Sequence, residues 1–197
     1  MSKESEKLAD AFRLFDEANS ADPNKELWDG KVIPKELLYA QRMTETLNRF
    51  EPSASIALQL TARCQHIQRW EIPRNSFEMN RSGYLQWRQA LKKYHAEVAR
   101  KILSEVGFNS SVIDKVEFLL LKKQLKKNEE TQTLEDVICL VFLEYYYEAF
   151  FQKHDDQKVI DILQKTWRKM SAKGHEAALK ISFSEPGLQL VKTAVLN

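Results

Sequence analysis

The chain has little that bends or cross-links a backbone. Its 197 residues include five glycines, five prolines and two cysteines. So few turn-formers argue against a turn-rich all-β fold and against disorder. Cys64 and Cys139 lie far apart in apolar, helix-patterned segments, with no paired C-x-x-C. They are expected to be free thiols of a reducing compartment. No apolar run approaches the roughly 18 residues of a membrane span. The longest candidate, VICLVFLEYYYEAFF, is broken by Glu144 and Glu148. The N-terminal MSKESEKLADAF is charged and amphipathic, unlike a secretory leader. Net charge is only +2, so nucleic acid is not an expected partner. Also missing are a Gly-rich phosphate loop, a G-x-S-x-G elbow and an H-E-x-x-H helix. The expectation is a cytoplasmic protein with no membrane contact.

What is present is a helical pattern. An apolar fraction of 43% with ten phenylalanines supplies an ordinary core. The length predicts one domain over residues 1–197, with a core at about 11–170 and C-terminal helices 171–197 as an extension. Helical spacing of apolar residues predicts helices near 3–19, 34–50, 54–70 and 82–106, a fifth carrying Val112, Ile113, Val116, Leu119 and Leu120, and two more near 132–152 and 156–172. A short helix follows Gly174, and Pro186 opens a last one. Ser53 is the expected cap of the third helix, Ser110 or Ser111 of the fifth. The stretch from Asn19 to Gly30 reads as a loop carrying Trp28, and no segment alternates long enough to predict a strand. The fold class is therefore all-α, a bundle of about seven to nine helices.

Charge is dealt unevenly. Between Thr61 and Lys101 nine cations face three acids, whereas Glu129–Asp161 carries nine acids against Lys153 and Lys158. Two solvated helix faces would account for this; so would a basic pocket for an anionic ligand beside an acidic, metal-binding helix.

Three polar points interrupt the apolar stripes: His66, His95 and the pair Glu135-Asp136. Imidazoles and carboxylates are expensive in such places without partners. On a straight third helix, Arg63 and Trp70 share the His66 face. His95 lies on the inward stripe of the long helix with Leu91 and Val98. Either histidine could be a hydrogen-bonded structural residue or a ligand. One acid of the pair must face inward and needs a cation: a metal, Arg42, Arg63 or Lys123. Arg74, Arg81 and Arg88, with Tyr84 and Trp87 between them, would suit a phosphate with a stacked base. Packing is the plainer use of the tryptophans.

The segments ANSADPN, PKELLYAQRMT, ARCQHIQRWEIPR, GYLQWRQALKKYHA, QTLEDVICLVFLE and KTWRKMS resemble the family known as domain of unknown function 4202, over about Ala11 to Met170. That resemblance implies no particular activity. More distantly, the order of polar points is similar to the HD-domain superfamily, helical proteins named for a His-Asp metal motif and often phosphohydrolases. YAQRM matches its first segment with Tyr39 in place of histidine. TARCQHI matches the second, with Ile67 where the Asp of the pair would stand. HAEVARKILSEVGF matches the third through His95, and LEDVICL the last through Asp136. A further histidine of that pattern falls at Lys123 or a neighbour.

The resemblance implies an HD-domain-like bundle and a divalent metal ion (Mn, Mg, Fe or Zn) held by His66, His95 and Asp136. Glu135 and Lys123 become candidate catalytic side chains. Arg63, Trp70, Arg74, Arg81, Tyr84, Trp87 and Arg88 become candidates for binding substrate. The expected function is a metal-dependent phosphohydrolase acting on a nucleotide or small phosphate ester. The alternative is a non-catalytic module that holds a small anionic or phosphorylated ligand in a degenerate metal site. Oligomeric state is not legible.

Overall fold

A computed structural model describes residues 3–196 of the chain. It is all-α, with ten α-helices and one small hairpin among the described residues. The chain divides into two compact units, Met1–Asn48 with Pro52–Lys123, and Arg49–Glu51 with Gln124–Asn197. No described helix is long and apolar enough to cross a membrane.

The first unit carries α1 (Lys3–Ser20), the hairpin β1 (Lys25–Trp28) and β2 (Lys31–Pro34), and most of α2 (Lys35–Phe50). It continues with α3 (Ile56–Cys64), α4 (Arg81–Val106) and α5 (Ser110–Leu120). Helix α1 packs on α3 and α4, and α5 closes against both. Phe15, Leu60, Cys64, Ile67, Leu103 and Val116 meet in its core, each about fully buried. Side chains set the helix starts. Asn80 caps α4 through the Gly83 amide, and Asn109 caps α5 through the Val112 amide. Gly107 ends α4 at φ +84°, where a side chain would be strained.

Several expectations need correction. The cap of α5 is Asn109, neither Ser110 nor Ser111. The loop before α2 is a two-residue hairpin: Asp29 and Gly30 both take positive φ, the Asp-Gly turn that matches strand twist. Pro34 accordingly ends β2 and does not open α2. The third helix stops at Cys64, and its cap is Ser55, not Ser53. Gln68 adopts φ +50°, which no continuing helix tolerates. The amide of Gln68 is held by the side chain of buried Asn19 at 2.9 Å. His66 therefore sits in a turn.

The second unit holds α6 (Glu129–Val141), which runs through a π-helical turn, Phe142–Tyr146, into α7 (Tyr147–Phe151). Then come α8 (Asp156–Lys169), α9 (Ala172–Ala178) and α10 (Glu185–Leu196). Leu143, Tyr147, Val159, Leu163, Met170 and Val191 form its core. Gly174 lies inside α9, not before it, and its lack of a side chain admits Asp136, since a Cβ there would stand 2.6 Å from Oδ1.

Candidate functional site

The segment ANSADPN, at the end of α1, is scaffolding for a polar cluster. Asp22 is fully buried, and its Oδ2 accepts the Glu36 amide at 2.9 Å, so it caps α2. Asn19 reaches both the Glu36 carbonyl and the Gln68 amide. These two side chains tie the start of α2 to the turn that follows α3. Glu36 and His66 are thereby brought face to face.

His66 stacks on Tyr39, with ring centroids 4.1 Å apart and planes at 12°. Its Nδ1 lies 3.3 Å from Glu36 Oε2, and its Nε2 lies 3.3 Å from an Arg69 guanidinium nitrogen. A guanidinium only donates, so Nε2 accepts and Nδ1 carries the hydrogen toward Glu36. Burial holds the His66 pKa well below its usual value, and Arg69, Arg88, Lys122 and Lys35 reinforce that. Burial pushes the Glu36 carboxyl up to about 7, against the opposing pull of Arg69.

His95 projects from α4 into the same region, its ring centroid 6.0 Å from that of His66. It is 4% exposed. Its Nδ1 lies 2.7 Å from the Ile67 carbonyl oxygen, which accepts only, so Nδ1 bears the hydrogen. Nε2 then presents a lone pair that meets no partner. Burial, then His66, holds the pKa down to about 3. Both imidazoles are neutral at physiological pH.

A cavity of about 20 Å³ opens between them. That is room for about one water-sized group. His66, His95, Gln65, Arg69, Arg88, Lys92 and Lys122 supply its polar lining, over Leu91 and Leu120. Among the described residues, no carboxylate lines it. Arg69 is braced on the Trp87 ring at 4.7 Å, and Trp87 donates its indole hydrogen to the Ile72 carbonyl at 2.8 Å. Arg88 reaches the Tyr84 hydroxyl at 3.3 Å, and Tyr84 remains 43% exposed.

Of the residues singled out by sequence, His66, His95 and Arg88 gather here, with Trp87 and Tyr84 behind the two arginines. Others are committed elsewhere. Arg63 grips both oxygens of Asp16, at 2.8 and 2.5 Å. Arg74 donates to the carbonyls of Phe77, Glu78 and Asn80 and holds that loop. Arg81 and Lys123 are exposed, and Trp70 is half-buried in a 3-10 turn. Glu135 and Asp136 belong to the second unit. Asp136 accepts the Ser171 amide at 2.8 Å and the Ser171 hydroxyl at 2.5 Å, which fixes the start of α9. Glu135 lies 3.7 Å from Lys169. Among the described residues, no three of His, Cys, Asp and Glu gather as a metal-binding group.

Sequence reasoning passed over Glu36, Gln65, Arg69, Lys92 and Lys122. A signal for Arg69 was there: it stands three residues after His66, the spacing of a turn. Reading a straight helix through residue 70 put Arg63 and Trp70 in its place.

Comparison with known proteins adds one relationship. A family model described as Domain of unknown function (DUF4202) matches residues 9–191. No curated protein and no solved structure matches the chain.

Proposed function

We propose that this chain, which belongs to the DUF4202 family, binds a small phosphorylated anion at the mouth of the cavity between His66 and His95, with one of its oxygens seated inside. One observation carries the reading: among the described residues, four cationic side chains and two imidazoles line the cavity, and no carboxylate does. Positive charge from several directions, behind low-dielectric walls, favours an anion. Arg69 and Arg88 supply planar forks that suit phosphate oxygens, and Lys92 and Lys122 supply point charges. The exposed ring of Tyr84, beside Arg88, offers a stacking surface, so a nucleotide is the finer form of the proposal. Titration calorimetry with inorganic phosphate and a nucleoside monophosphate tests this. Binding by the wild type that weakens at least tenfold in Arg69→Ala and Arg88→Ala is the expected result. Absence of binding by either probe would defeat it.

The rival reading is a metal-dependent phosphohydrolase, in which a divalent ion would activate water. One feature favours it. A histidine that donates Nδ1–H to a carbonyl and presents Nε2 is prepared as metal ligands are. The layout of the HD superfamily also fits in part, since the matching positions Tyr39, His66 and His95 converge. The donor set around the cavity suits a cation poorly, however. His66 Nε2 already accepts from Arg69, and the remaining charges are positive. Thermal stabilisation by phosphate but not by Mn²⁺ separates the two readings. Stabilisation by Mn²⁺ with phosphatase activity would favour the hydrolase.

A further inference from the structure

Two buried acceptors in the cavity have nothing to accept. Among the described residues, His95 Nε2 and Gln65 Oε1 find no hydrogen-bond partner, and the two residues are 4% and 7% exposed. Both residues line the same cavity as the four cations. A bare oxyanion would satisfy the cations but would set its own lone pairs against these two. A ligand with an O–H hydrogen satisfies both kinds of group at once.

We infer that the cavity selects oxyanions that carry a hydroxyl hydrogen over those that carry none. Hydrogenphosphate qualifies, as does a phosphate ester with an adjoining hydroxyl; sulfate does not. This rests on the anion-binding reading above and deepens it. The cations draw the charge in, and His95 Nε2 and Gln65 Oε1 take the hydrogen. Near neutral pH inorganic phosphate keeps a P–OH in either of its forms, whereas sulfate is fully deprotonated. The two anions are close in size and shape, so cation attraction alone discriminates little between them. His95 suits the role because the Ile67 carbonyl fixes its tautomer, leaving Nε2 as an acceptor and never a donor. Its neighbour His66 lacks that freedom, because Arg69 takes its Nε2.

The test is titration calorimetry near neutral pH and at matched ionic strength, with potassium phosphate and potassium sulfate. Wild type is expected to bind phosphate about tenfold or more tighter than sulfate. His95→Asn keeps an amide to donate to the Ile67 carbonyl and removes Nε2. Gln65→Leu removes Oε1. Each variant should bring the ratio to within about threefold, with sulfate affinity unchanged or improved. Should His95→Asn fail to fold, the wild-type ratio and Gln65→Leu carry the test.

Equal wild-type affinities would overturn selection and leave anion binding standing. Failure of both anions to bind would overturn the parent reading and this one with it. A phosphate preference untouched in both variants would also overturn it, by locating selectivity elsewhere. Glycerol phosphate and ethyl phosphate identify the source of the hydrogen. A preference for glycerol phosphate over free phosphate supports an adjoining hydroxyl, and a preference for free phosphate supports the P–OH. Ethyl phosphate as the tightest ligand would contradict the inference.

Discussion

Glu36 Oε2 lies 3.3 Å from His66 Nδ1, and the two groups have pKa values displaced in opposite directions. Burial is the first cause in both cases. It favours the neutral acid in Glu36 and the neutral base in His66. A pair that would be an ion pair in water is therefore close to neutral on both sides below pH 7.

Glu36→Gln tests the carboxyl half. The folded-state pKa of about 7 stands above the ordinary 4.5. Between those values the native state binds the extra proton, so stability falls as pH rises through that window. The full cost above pH 7 is about 3 kcal/mol. The neutral amide avoids it while still accepting from His66 Nδ1. Urea unfolding should find the variant gaining on wild type as pH rises from acid to alkaline. A difference that is the same at both ends contradicts the displacement. Asp22, Lys35, Arg69 and His95 also act on this carboxyl and remain in the variant.

The imidazoles shape the opposite limb. Both histidines have folded-state pKa values below 6.5, that of His95 about 3. The unfolded chain binds protons that the native state refuses, so stability is lost as pH falls below 6.5. His95→Asn should flatten the acid limb by a few kcal/mol. An unchanged slope would show that His95 titrates normally.

Asn19→Ala should act at a distance from its own helix. Its side-chain oxygen Oδ1 accepts the Gln68 amide, and Gln68 holds the left-handed conformation that ends the turn at His66. Loss of that buried bond should cost about 1–3 kcal/mol. Phosphate affinity should fall as well, because Arg69 and His66 ride on the same turn. Loss of stability with intact affinity would separate the turn from the site.

Asp136 separates the two functional readings. In the second unit it accepts both the amide and the hydroxyl of Ser171. Asp136→Asn should destabilise by about 1–3 kcal/mol and leave phosphate binding unchanged. Gly174→Ala should also destabilise, since its Cβ would fall 2.6 Å from Asp136 Oδ1. Loss of phosphate binding in a folded Asp136→Asn would instead support the hydrolase.

The legible part of the fold was its periodicity. Long amphipathic stretches such as Arg81–Val106 announce themselves, and Gly107 marks where that helix stops. What stayed hidden was punctuation by backbone conformation. Asp29-Gly30 is a hairpin signal, but its strands are four residues each, too short for alternation to register. The end of α3 was missed for a different reason. Gln68 is an ordinary helical residue, and partners distant in sequence, Asn19 on its amide and Tyr94 on its side chain, hold it in the left-handed region. That single reversal decides which arginine meets His66.

The polar points were legible as residue types and not as partners. His66 and His95 lie with ring centroids 6.0 Å apart, a proximity that their separate stripes did not announce. Whether an inward carboxylate meets a metal, a lysine or a serine depends on packing that no periodicity encodes. Asp136 found Ser171. Glu36 escaped notice because a glutamate in a first helical turn is the commonest of dipole partners.

A crystal structure grown with inorganic phosphate, or with tungstate as its heavier analogue, tests the central claim most directly. The account predicts density in the cavity within hydrogen-bond distance of Arg69, Arg88 and His95 Nε2. A divalent ion bound by His66 and His95, with Arg69 turned away, would contradict it, as would an anion bound elsewhere and a cavity filled by water alone.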